Sequence, residues 1–202
     1  MTRVTPGSGG TRVADPAPVR PQELVLVAVD DALARAWDDV ARDRPGVRVH
    51  RGSVLEARVD AVVSPANSQG LMRGGVDAVY AAAFPGIEQR VRAAILALHG
   101  GELPVGEAVV VATLGRPRWL ISAPTVAGPT DRLPPETVHP YLAARAVLRA
   151  WRGWTLDDGT PAREGIRTIA CPGLGTGVGG LDPVTCARQV AAAWDELGVT
   201  ED

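Results

Sequence analysis

Two short apolar runs, each followed by a glycine-rich loop and then by a helical pattern, most constrain how this chain can fold. The first run is 59–64, before the loop 64–75, and the second is 166–171, before the loop 172–180. Short runs rich in β-branched residues predict strands, and an uninterrupted apolar run is typical of a strand buried on both faces. Strands that alternate with helices in this way predict a three-layer α/β domain.

The remaining elements follow the same alternation. Apolar residues that recur every three to four positions predict helices with one face toward the core, and the polar stretch 153–164 predicts a loop. In the helix after the first glycine loop, the predicted core stripe is Val76, Val79, Tyr80, Ala83 and Phe84. The predicted strands are 23–29, 47–50, 59–64, 108–113, 119–123 and 166–171, and the predicted helices are 31–43, 76–84, 85–98, 136–151 and 183–197, the last with Asp182 as N-cap.

The length of the chain favours one domain. With 202 residues, of which 46% are hydrophobic, one core of ordinary size can form. We expect a single domain over 23–202. The segment 1–22 is rich in Pro and Gly and is expected to be loosely ordered.

Composition excludes several classes of function. All 21 basic residues are arginine, so no P-loop lysine and no lysine nucleophile is present. This absence, together with abundant Ala, Val and Gly, is typical of a GC-rich bacterial genome. Formal net charge is −2 with both signs interleaved, so a nucleic-acid backbone is not the expected partner. The spacing GxGxxG at 175–180 predicts no Rossmann site, because no further strand with an acidic residue follows the last helix.

Cysteine, histidine and hydropathy patterns set further expectations. Cys171 and Cys186 are expected to be buried small hydrophobes without a disulfide. The three histidines have no ligand spacing, so we predict no metal and no cofactor. No apolar run approaches the roughly 20 residues of a membrane span, and the first residues lack the apolar core of a signal peptide. The expected setting is the cytoplasm, without a membrane partner.

The two glycine loops predict a ligand site. In open α/β sheets, ligands bind beyond the carboxyl ends of the strands. Glycine lets the backbone come close to a ligand, and successive N–H groups form a concavity that suits phosphate oxygens. Two such loops would suit a diphosphate with a sugar attached. The first loop also holds Asn67, the only asparagine of the chain.

Three motifs in order resemble the macrodomain family, whose members bind ADP-ribose. They are DAVVSPAN at 60–67 followed by GGVD at 74–77, LPVGEA at 103–108, and PGLGTGVGG at 172–180. The resemblance covers about 47–197. It implies an α/β/α fold with a mixed, mostly parallel central sheet flanked by helices. The expected ligand is ADP-ribose or an ADP-ribosylated macromolecule, and the protein is expected to be a monomer.

The resemblance also implies roles for individual residues. Asn67 would hydrogen-bond the distal ribose, and Asp77 would orient or activate a water near the anomeric carbon, which makes these two the predicted catalytic residues. Ser53 and Val54 would contact the adenine. The other predicted binding residues belong to the two loops: Ala66, Gly74, Gly75, Val76, Pro172, Gly173, Leu174, Gly175, Thr176, Gly177, Val178, Gly179 and Gly180.

The chain departs from the family pattern at several positions. Ser53 replaces an aspartate that grips the adenine amino group, and a serine offers only a neutral, weaker hydrogen bond. Gly179 stands where many hydrolases carry an aromatic residue, so a more open pocket is expected there. Met72 and Arg73 stand where glycines are common. Macrodomain hydrolases that act through a lysine adduct are excluded by the lack of lysine.

Alternatives remain open at this stage. The chain is expected to be a hydrolase, which removes ADP-ribose from a target or processes ADP-ribose 1″-phosphate. The alternative is a non-catalytic reader of ADP-ribose or of another nucleoside diphosphate sugar. Asn67 could instead close an Asx turn, and Asp77 could merely favour its helix N-terminus. Arg73 could be a solvated loop residue or a phosphate contact, and the Thr176 hydroxyl could contact phosphate or its own loop.

Overall fold

The structure, a computed structural model, describes residues 22–197. The predicted loose segment 1–22 therefore lies outside the described residues except for Gln22, as do residues 198–202. The strands are β1 (Glu23–Ala28), β2 (Val47–Arg51), β3 (Ala61–Ser64), β4 (Val109–Ala112), β5 (Trp119–Ser122) and β6 (Thr168–Cys171). The helices are α1 (Asp31–Ala41), α2 (Gly75–Ala83), α3 (Ile87–His99), α4 (His139–Gly153), α5 (Ala162–Gly165) and α6 (Pro183–Leu197).

The six strands form one mixed sheet in the order β2-β1-β6-β3-β5-β4. Every neighbouring pair is parallel except β4 and β5, so the predicted mixed, mostly parallel sheet is confirmed. Strands β3 and β6 are neighbours, with Ala61 opposite Ile169. The two glycine-rich loops follow these two strands, and they therefore leave the sheet side by side at the same edge.

Helices cover both faces of the sheet and give the predicted three layers. On one face, Trp37 of α1, Trp151 of α4 and Trp194 of α6 belong to one buried cluster that also contains Val63. On the other face, Tyr80 of α2 and residues of α3 pack on a cluster that contains Val62. Consecutive residues of β3 thus face opposite layers, as the strand period requires. None of the helices within 22–197 is both long enough and apolar enough to cross a bilayer.

Most predicted element bounds agree with the structure to within two residues, and two differences are larger. Helix α4 begins at His139 rather than near 136, because Pro140 suits a first helical turn and the Thr137 carbonyl is taken by Gln189 Nε2 at 2.6 Å. The predicted loop 153–164 ends in the short helix α5. Its polar sequence concealed this turn, which is fixed by hydrogen bonds such as Ala162 N to Trp154 O at 2.8 Å.

Candidate functional site

A cavity of about 770 Å³ opens at the carboxyl ends of β1, β3 and β6. Its volume lies in the range of small-molecule sites, roughly 300–1,000 Å³. Two of the predicted binding residues do not line it: Leu174 is fully buried in the core, and Gly180 faces the Arg132 side chain. The predicted residues that do line it are Ser53, Val54, Ala66, Asn67, Gly74, Gly75, Val76, Asp77, Pro172, Gly173, Gly175, Thr176, Gly177, Val178 and Gly179.

Asn67 organises the first glycine loop. Its Nδ2 donates to the carbonyl of Leu71 at 2.7 Å, and its Oδ1 accepts from the N–H groups of Gln69 and Leu71 at 3.2 and 3.1 Å. An amide nitrogen carries two hydrogens, so one remains for a ligand in the cavity. The turn-closing interpretation and the ligand-binding interpretation are therefore compatible.

Asp77 places a buried carboxylate in the cavity wall. It lies in the first turn of α2 with 7% of its surface exposed, and the Ser64 hydroxyl donates to its Oδ1 at 2.6 Å. Burial raises the pKa of Asp77 to about 6, against the opposing effect of the Ser64 hydrogen bond. A carboxyl group that titrates near neutral pH and lines a cavity is suited to acid–base chemistry.

The backbone at the start of α2 is held by glycine and by one aromatic hydroxyl. Gly75 has a φ of +57°, in the left-handed region that glycine adopts without strain. One turn beyond Asp77, Tyr80 is fully buried and its hydroxyl donates to the carbonyl of Val63 at 3.0 Å. This bond ties α2 to the end of β3, and so fixes the position of Asp77 relative to the sheet.

The second glycine loop is packed tightly by a residue that the sequence analysis did not single out. A Cβ on Gly179 would lie 2.5 Å from the Gly175 carbonyl oxygen and 3.1 Å from Leu133 Cδ1. Leu133 occupies the space into which a Gly179 side chain would point, and the more open pocket expected at Gly179 stays a prediction. The Leu133 N–H also donates to the Gly179 carbonyl at 2.9 Å. Close packing here leaves only glycine a place in the loop.

Ser53 and Val54 form another part of the cavity wall. The Ser53 hydroxyl accepts from the N–H of Leu55 at 3.3 Å, and the Ser53 N–H donates to Glu56 Oε2 at 3.3 Å. These bonds use the groups on either side of Val54, whereas its own N–H has no hydrogen-bond partner among residues 22–197. A buried N–H in a cavity wall is a donor that a ligand can satisfy.

Two further parts of the cavity wall were not predicted from the sequence. Residues of the β1–α1 junction line the cavity because β1 lies beside β6, an arrangement that local patterns do not reveal. Residues after β5 line it because the chain continues the parallel pairing, with Thr125 N donating to Ala66 O at 2.9 Å. A signal was present in the second case, since any strand parallel to β3 ends at the same edge. The missed residues include Val29, Asp30, Leu33, Thr125, Val126, Pro129 and Thr130.

Three exposed valines give the cavity mouth an apolar surface. Val29 is 82% exposed, Val79 42% and Val178 47%, and all three line the cavity. The prediction that Val79 and Ala83 pack in the core stripe of α2 is wrong because both are exposed, whereas Tyr80 and Phe84 are buried as predicted. Apolar side chains at a pocket mouth suit the faces of a base or a sugar ring.

Charged and sulfur-containing groups are sparse around the site. Arg73 is exposed and lines the cavity, as does Asp30. Cys171 and Cys186 are buried free thiols, as predicted, and burial raises the pKa of each. Over the described range 22–197, no group of three or more metal-ligating side chains is placed to hold an ion.

Comparison with known proteins defines the family. The Macro domain family model matches residues 63–190. A macro domain-containing protein of Streptomyces griseus is 34% identical over 143 residues, which cover 62% of this chain and 79% of that protein. A DNA ADP-ribosyl glycohydrolase of Thermus aquaticus is 30% identical over 154 residues, which cover 75% of this chain and 38% of that protein.

A solved structure supports the same assignment. The macrodomain of Thermus aquaticus DarG is 27% identical with a TM-score of 0.57, over 75% of this chain and 89% of that one. The chain thus belongs to the macrodomain family, an ADP-ribose-binding family.

Proposed function

We propose that this macrodomain binds ADP-ribose in its cavity and hydrolyses the bond between ADP-ribose and a modified target. The observation that carries the proposal is Asp77, a carboxylate with a raised pKa in the wall of the cavity that both glycine loops line. The similarity to a protein named DNA ADP-ribosyl glycohydrolase supports the same chemistry. The presence of Asn67 and Asp77 at the family spacing agrees with it.

The proposal assigns each part of ADP-ribose to one part of the cavity wall. The backbone N–H groups of the glycine loops surround the diphosphate. The remaining hydrogen of Asn67 Nδ2 donates to the distal ribose. The Val54 N–H and the apolar groups near Val29 contact the base. In the proposed complex, the Asp77 carboxylate faces the distal ribose.

Asp77 acts as the general base of the reaction. Water attacks the anomeric carbon, and its oxygen forms the new bond as the bond from that carbon to the target atom breaks. The water proton passes to Asp77, and the departing atom takes a proton from solvent. A base must be ionised, so turnover rises with pH through the pKa of Asp77 near 6.

The nature of the target is a further part of the proposal. An ADP-ribosylated macromolecule is the substrate, and ADP-ribose 1″-phosphate is the small-molecule candidate. The name of the Thermus relative points to DNA as one class of target. The net charge of −2 of this chain, however, gives no general attraction to nucleic acid. Two buried free thiols suit a reducing compartment, so we place the activity in the cytoplasm, carried out by the monomer.

A second candidate is a reader without turnover. It is favoured by Ser53, because a serine has no carboxylate to accept from an adenine amino group. The Ser53 hydroxyl also already accepts from the Leu55 N–H. A weaker base contact would also admit other nucleoside diphosphate sugars. Competition of UDP-sugars against ADP-ribose separates these ligands.

The experiment compares Asp77→Asn with the wild type. Asn keeps the shape and can still accept from Ser64, so ADP-ribose affinity by calorimetry should stay within about threefold. Release of ADP-ribose from modified DNA and modified protein should fall by about 10²-fold or more. Asp39→Asn removes an exposed carboxylate on α1 and should leave both unchanged. Undiminished turnover in Asp77→Asn would refute the role of the carboxylate.

A further inference from the structure

The two oxygens of the Asp77 carboxylate differ in their surroundings. Oδ1 accepts a hydrogen bond from Ser64 Oγ at 2.6 Å. Oδ2 has no hydrogen-bond partner in the protein between residues 22 and 197. Both residues are buried, with 1% of Ser64 and 7% of Asp77 exposed. One oxygen is thus held by the sheet, and the other is left for the cavity.

A second serine at the same depth provides a contrast. Ser64 at the end of β3 lies opposite Ser122 at the end of β5. Both face the layer of α2 and α3, because Val62 and Leu120, two positions earlier, pack in that layer. Ser122 Oγ is buried and has no hydrogen-bond partner in the described part of the chain. Of these two neighbouring hydroxyls, only that of Ser64 bonds to Asp77.

No other described group controls the charge of Asp77. The ion pairs found within 22–197 do not include it, and none of the residues 172–181 is charged. Tyr80 of α2 lies near Asp77, and Cys171 of β6 lies near Tyr80; burial raises the pKa of both groups, which keeps them neutral. Arg73 of the first loop and Asp30 of the β1–α1 junction line the same cavity but are exposed.

We propose that Ser64 is a positioning residue, which keeps the Asp77 carboxylate ionised and turns its free Oδ2 toward the cavity. A hydrogen bond donated to a carboxylate stabilises the charged form, and burial opposes it. Without the Ser64 hydroxyl, burial acts alone and the carboxyl group holds its proton to higher pH. The consequence for a water in the cavity rests on the proposed hydrolase function.

The test is a titration of the Asp carboxyl carbons by ¹³C NMR in ligand-free protein, with Asp77→Asn to assign the signal. Ser64→Ala should move the Asp77 midpoint to higher pH by about one pH unit. The matched control, Ser122→Ala, removes an equally buried hydroxyl that does not bond to Asp77. In this variant the Asp77 midpoint should stay at the wild-type value. Ser64→Thr keeps the hydroxyl and should stay close to wild type.

The outcomes separate this inference from the proposed function. An unchanged midpoint in Ser64→Ala, or an equal change in Ser122→Ala, would overturn the role of Ser64. Ser64→Cys offers a weak donor of similar size and should also move the midpoint upward, which covers a failure of the alanine variant to fold. If the wild type releases no ADP-ribose, the hydrolase proposal fails, while the titration still decides for or against Ser64. With turnover, the acid limb of the kcat/KM profile should move with the midpoint.

Discussion

Replacing Asp77 with Asn should stabilise the protein, and the gain should depend on pH in one direction. Burial raises the pKa of Asp77 to about 6 from the ordinary value of 3.8. The folded protein therefore holds a proton on this group that the unfolded chain has already released between these two pH values. Stability that Asp77 contributes below pH 3.8 is lost as pH rises through 6. An amide in its place carries no such penalty.

The size of the effect follows from the two pKa values. At 1.36 kcal/mol per pH unit, the difference corresponds to about 3 kcal/mol in the free energy of unfolding. Asp77 is 7% exposed, so solvent screening reduces this value little. The gain of Asp77→Asn over the wild type should be small near pH 4, grow up to about pH 6, and be constant above it.

Urea unfolding of both proteins at half-unit steps from pH 4 to pH 8 measures this curve. Asp39→Asn, which removes an exposed carboxylate, should give a difference that stays flat across the series. A gain for Asp77→Asn that does not grow with pH would refute the reasoning. The reasoning would also be refuted if the stability of Asp77→Asn relative to the wild type were lower at pH 8 than at pH 4.

Two further predictions concern the loops. Gly179→Ala should lower the free energy of unfolding by about 1–3 kcal/mol and weaken ADP-ribose binding, because its Cβ would meet the Gly175 carbonyl and Leu133. Gly177→Ala, with nothing within 4 Å of the added carbon, is the control and should change stability by less than about 1 kcal/mol. Asn67→Ala removes three hydrogen bonds of the first loop and should abolish measurable ADP-ribose binding in calorimetry while making that loop a preferred cleavage site in limited proteolysis. Retained affinity in this variant would show that the amide serves only the turn.

Local patterns in the sequence predict much of the fold because its strands are short, apolar and separated by glycine and proline. The loops 64–75 and 172–180 could be recognised because each follows a buried strand, and Asn67 lies in the first loop while Asp77 lies in the first turn of the helix after it. The order of the strands could not be predicted, since pairing depends on contacts between distant segments. Only the observed position of β1 beside β6 brings Asp30 to the cavity.

Packing around the second loop was also beyond local patterns. Leu133 follows a polar, proline-rich stretch with no periodicity, and nothing in that stretch indicates that its side chain occupies the space beside Gly179. Likewise, the helical period predicts Val79 on the same core stripe as Tyr80, but the shape of the neighbouring loops decides that Val79 borders a cavity. Both features concern what lies next to a residue rather than the element that contains it.

The position of β1 has a consequence for where this protein can be cut. The family match begins at residue 63, yet β1 occupies the interior of the sheet and β2 forms its edge. Edge strand β2 carries Arg48 and Arg51, charges that discourage pairing with other molecules. A fragment trimmed to the family match would expose the open side of β6, whose Ile169, Ala170 and Cys171 are apolar and fully paired or covered in the intact chain. Such a fragment would have an apolar, aggregation-prone edge strand in place of one protected by charged side chains. Recombinant work on this domain should therefore keep residues 22–62.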